Sequence, residues 1–70
     1  MLMKFEHAYS GKDIFINPLY VTSVSEDTKT ADVSHIGFAS GSVTYVKGAA
    51  DTVACRIILA AEKAAAMLRR

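Results

Sequence analysis

The spacing of apolar residues changes at Gly48, and that change constrains the fold more than any other feature of the chain. Upstream, apolar residues recur at every second position in short runs, as along strands. Downstream, they recur at every third and fourth, as along one helix. Residues 1–47 are therefore read as a sheet part and 50–70 as a C-terminal helix, within a single domain spanning 1–70. The expected fold class is α+β: an antiparallel sheet of four to five short strands followed by one long C-terminal α-helix.

Turn chemistry divides the first part. Met3, Phe5, His7 and Tyr9 alternate with Lys4, Glu6 and Ala8. Ser10-Gly11 is read as a two-residue hairpin loop. That loop sets Tyr9 against Lys12, His7 against Ile14 and Phe5 against Ile16, with Phe15 on the outer side. Asn17-Pro18 bends the chain, because proline lacks an N–H and biases its predecessor away from helix. Further strands are expected over 19–25, 29–38 and 42–47, separated by Glu26-Asp27-Thr28 and Ala39-Ser40-Gly41. Gly37, inside a strand pattern, marks a bulge or a close backbone approach.

On a helical wheel the apolar residues of 51–70 cover about 180°, wider than the roughly 100° that packing on one side requires. Val53, Ile57, Ala60, Ala64 and Leu68 form one ridge; Ala54, Ile58, Ala61 and Ala65 form the next. Large residues reach into a sheet, whereas alanines admit a second backbone. Ala54, Ile58, Ala61 and Ala65, with Leu68 at the end, are the expected contact with a second copy.

Composition adds weight to that expectation. The chain is 51% apolar and 21% charged over 70 residues, with a mean hydropathy of +0.24. A domain of this size buries only about 60% of its unfolded surface. Its lone cysteine excludes an internal disulfide, and oligomerisation is a usual remedy. No apolar run approaches the ~20 residues of a membrane span. Lys4, Glu6 and His7 break up the start, which argues against a secretory leader. A cytoplasmic protein is expected.

The residues that might carry chemistry form no catalytic set. Cys55 is expected to be a buried or semi-buried structural thiol. His7 and His35 are read as sheet-margin histidines, since two histidines without further ligands make a poor metal site. Glu26 and Asp27 are read as a solvated pair. Tyr9, Tyr20 and Tyr45 are read as core or interface anchors. The expectation is a chain without enzymatic activity, cofactor or metal.

Gly11-Lys12, four residues, then Asn17-Pro18, followed by Val21 and Val24, the Val46-Lys47 strand end and the helix from 51–57 resemble the small FlbD-like proteins of flagellar operons and phages. Ser40-Gly41 stands where that family usually has Asn-Gly. The resemblance implies a small regulatory or accessory role. Met1-Leu2, a glycine turn, five strands and a helix are also similar to RNA-binding dimers of the carbon-storage-regulator type. Those bind through basic residues of the first strand, where this chain has Phe5-Glu6-His7.

The expected function is a non-enzymatic protein-interaction module, a small bacterial or phage regulatory or accessory protein acting as a homo-oligomer. An inhibitor of a host or defence protein belongs to this class. The partners are the chain itself and another protein. Two alternatives are carried. One is a nucleic-acid-binding regulator, with Arg56, Lys63, Arg69 and Arg70 on phosphates; the net charge of +1 weighs against it. The other is a small-ligand sponge with its pocket between subunits.

Overall fold

The structure is a computed structural model, and it describes residues 2–68. Five strands and one helix follow in order: β1 (Met3–Glu6), β2 (Asp13–Ile16), β3 (Val21–Glu26), β4 (Val33–Phe38), β5 (Val43–Lys47) and α1 (Ala50–Leu68). The α+β class holds, but the strands do not form one sheet. β1 and β2 make a hairpin of their own, and β3-β4-β5 make a three-stranded antiparallel sheet. A single bridge, His7 to Val46, joins them, with the Ala8 N–H donating to the Tyr45 carbonyl at 2.9 Å.

The hairpin turns over a four-residue loop, two residues longer than expected. Phe5 faces Ile14 and Met3 faces Ile16, two residues from the expected register. The His7 N–H donates to the Lys12 carbonyl at 2.8 Å, leaving residues 8–11 as the loop. Within it His7 Nδ1 accepts from the N–H groups of Tyr9 and Ser10, at 3.3 and 3.1 Å. A slip of two preserves side-chain parity, so Phe5 and Ile16 still point inward and Phe15 outward.

Two further strand expectations are corrected. Residues 18–20 form a 3-10 turn, Pro18–Tyr20, and not the start of a strand. Asn17 caps the turn by accepting from the Leu19 N–H at 3.0 Å, and Pro18 supplies the φ a first helical residue needs. Residues 29–32 lie outside β4. The chain turns there at Asp32, whose φ of +57° is tolerated by a short polar side chain.

The core consists of Phe5, Ile16, Ile36, Val46, Val53 and Ile57. The helix packs on β3, β4 and the 3-10 turn. It buries Ala50, Val53, Ile57 and Ala64, the 3.6-residue stripe of one face. Gly37 occupies the expected close approach. It sits opposite Ser23 beside a register shift in β3, where a Cβ would lie 2.5 Å from the Ser23 hydroxyl. Among the described residues no helix is long and apolar enough to cross a membrane.

Candidate interaction surface

The turn at Pro18–Tyr20 sets the position of the most apolar part of the surface. Because Asn17 caps it and Pro18 is buried, Leu19 and Tyr20 are turned outward on either side. Tyr20 lines a groove of about 580 Å³ with Phe15, Ile16, Asn17, Phe38, Ala39 and Ser40. Leu19 lines a second, of about 290 Å³, with Asn17, Ala64, Met67 and Leu68. The two grooves meet at Asn17. Among the described residues, no lining residue of either groove is charged.

Five large side chains of this surface, Phe15, Leu19, Tyr20, Met67 and Leu68, are each 45–76% exposed. At about 200 Å² of full surface for a side chain of this size, they leave on the order of 600 Å² in contact with water. Contiguous apolar patches larger than a few hundred Å² mark interaction sites. The pattern of residues 1–20 places Phe15 outward, but assigning Leu19 and Tyr20 to a strand conceals that they share one patch with the end of α1.

The helix residues expected at a self-contact divide into two groups. Ala54, Ala61 and Ala65 flank the buried stripe and are half-buried, whereas Ile58 and Leu68 are exposed. Of the four basic residues considered for phosphates, Arg69 and Arg70 lie outside the described residues. Arg56 is engaged by its own chain: its guanidinium lies 4.4 Å from the centre of the Phe5 ring and donates to the Lys4 carbonyl at 3.2 Å. Lys63 is exposed and lines a shallow groove with Met3, Arg56, Leu59 and Ala60.

A polar cluster lies elsewhere, over β4 and β5. Asp27 is not a solvated turn residue; its side chain is 9% exposed. One carboxylate oxygen accepts from the Tyr9 hydroxyl at 3.0 Å. The other accepts from the Lys29 N–H at 3.2 Å and lies 3.5 Å from His35 Nε2. The Lys29 N–H, more than the Tyr9 hydroxyl and His35, holds the Asp27 carboxyl below the usual carboxylate range, although partial burial pushes the other way. The same carboxylate, as acceptor of its hydrogen bond, holds the Tyr9 phenol above its usual range. His35 stacks edge-on to Tyr45 at 4.5 Å, and Tyr45 to Tyr9 at 5.5 Å. Apart from the local Lys29 bond, the links join different parts of the chain, so the cluster fastens the 8–11 loop to the three-stranded sheet. An Asx turn closing on Lys29 is the sequence signal that could have found it.

Cys55 is exposed, contrary to expectation, because it lies on the side of α1 opposite Ile57. Among the described residues, no three His, Cys, Asp or Glu side chains converge closely enough to hold a metal ion. Comparison with family models, curated proteins and solved structures finds no match to this chain.

Proposed function

We propose that the protein is a non-enzymatic interaction module that acts as a homo-oligomer and docks on a larger protein, in the manner of a small bacterial or phage regulatory or accessory protein. The reading rests on one observation: the apolar surface around Asn17, on the order of 600 Å² in five side chains, which is uncharged and uncovered among the described residues. Leaving that much apolar area in water is costly, at about 25 cal/mol per Å², and association recovers it. The aromatic residues Phe15 and Tyr20 are of the type that anchors protein contacts. Regulation or inhibition of a partner needs no more than such a surface.

Capture from a cell lysate on tagged protein, comparing the wild type with Leu19→Glu, tests the reading. Proteins retained by the wild type and lost with the variant support it. Identical recovery on both, or no protein retained, contradicts it. The nucleic-acid alternative gains no support from Arg56, which is held against Phe5 and Lys4.

A further inference from the structure

The oligomeric part of the proposed function leaves open which surface meets the second copy, and the register of the hairpin bears on it. His7 and Lys12 are a hydrogen-bonded pair. Pairs alternate along an antiparallel ladder, so Phe5–Ile14 and Met3–Ile16 are also bonded, whereas the N–H and C=O groups of Asp13 and Phe15 point away from β1. β2 has β1 as its one neighbour. Among the described residues, no backbone hydrogen bond from a turn or loop engages Asp13 or Phe15. Phe15 thus offers a free strand edge and an exposed ring at the rim of the larger groove.

We infer that a second copy of this chain occupies the Phe15 side of this surface, with the two β2 edges paired antiparallel across a two-fold axis at Phe15, which leaves the groove lined by Leu19, Met67 and Leu68 to a larger partner. The inference rests on the homo-oligomer reading and specifies its interface. Three observations select a copy of the chain as occupant. An isologous contact sets a patch against itself, which penalises charge, and among the described residues the lining of the Phe15 groove is uncharged. An axis at Phe15 sets Asp13 of each copy opposite the neutral Asn17 of the other. Lys4, the partner of Phe15 across the hairpin, lies three strand spacings from its copy, about 14 Å, so among the described residues neither of these charges meets its like. Phe15 and Tyr20 leave on the order of 250 Å² of side chain exposed, and the paired strand edges and the groove floor extend this toward the ~800 Å² per partner of a stable interface.

Sedimentation equilibrium of the wild type, Phe15→Glu and Ile58→Glu tests this, each residue being exposed enough to leave the fold intact. Weakening of the dimer by about tenfold or more in Phe15→Glu, with Ile58→Glu unchanged, is expected. A dimer lost in Ile58→Glu and kept in Phe15→Glu overturns the inference while the homo-oligomer stands. A monomeric wild type overturns both. Hydrogen exchange in the wild type gives an answer independent of any variant. The Phe15 amide is expected to slow by about tenfold or more as concentration populates the dimer, and exchange at the rate of an open amide in the dimer contradicts the pairing.

Discussion

The hydroxyl of Ser34, fully buried in β4, donates to the carbonyl of Gly48 at 2.7 Å. This bond fixes the point where the sheet ends and the helix begins. Gly48 turns there with a φ of +127°, and its N–H donates to the Asp32 carbonyl at 2.6 Å. Ser34→Ala leaves that half-buried carbonyl without its partner, at a cost of about 0.5–1.5 kcal/mol. Gly48→Ala brings a Cβ to within 3.1 Å of Val53 at a φ that disfavours L side chains, again about 1–3 kcal/mol. Urea denaturation of both variants measures the losses. Wild-type midpoints contradict the account of this corner.

Adjacent helix residues provide a test of the helix phase. Ile57 is buried and Ile58 is exposed. Ile57→Ala is expected to cost about 2–5 kcal/mol, enough to unfold much of a domain this small. Ile58→Ala is expected to stay within about 0.5 kcal/mol. Thermal melts of the two variants decide the matter, and equal losses contradict the burial of a single stripe.

The Asp27–Tyr9 bond requires an ionised carboxyl and a protonated phenol. Asp27 has its folded pKa lowered, so its contribution is present above the unfolded value and is lost as pH falls through the folded one. Tyr9 has its pKa raised, so its contribution is present below the unfolded value and is lost as pH rises through the folded one. Stability is therefore expected to hold across the neutral range and to fall at both ends. Asp27→Asn should flatten the acid fall and Tyr9→Phe the alkaline one, as measured by denaturation across pH. A variant curve parallel to the wild type contradicts the pairing.

The turns carry much of what is not legible along the chain. The change of period at Gly48 locates the helix, and alternation identifies Phe5 and Ile16 as inward residues, because burial imposes those periods directly. Side-chain hydrogen bonds to the backbone leave no periodic trace. The His7 ring that satisfies two loop N–H groups moves the hairpin register by two, and the Asn17 cap converts part of an expected strand into a turn. The candidate surface follows from that cap, which places Leu19 beside Met67 and Leu68, nearly fifty positions later, and Tyr20 beside Phe38. Parity survives a shift of two, so the outward position of Phe15 is legible while its neighbours are not.

Arg56 packs on the Phe5 ring and caps the Lys4 carbonyl, which makes it a structural cation. Arg56→Gln is expected to lower stability by about 0.5–1 kcal/mol, the usual value of an exposed cation–π contact. It is expected to leave the elution of the protein from heparin unchanged. A large shift to lower salt in that elution contradicts the structural assignment and returns weight to phosphate binding.

The claim on which the account depends is that the apolar surface around Asn17 is covered by association. The molar mass in solution at micromolar concentration, read by light scattering, tests it most directly. The account predicts a mass of twice 7.5 kDa or a higher multiple; a uniform 7.5 kDa species across that range contradicts it.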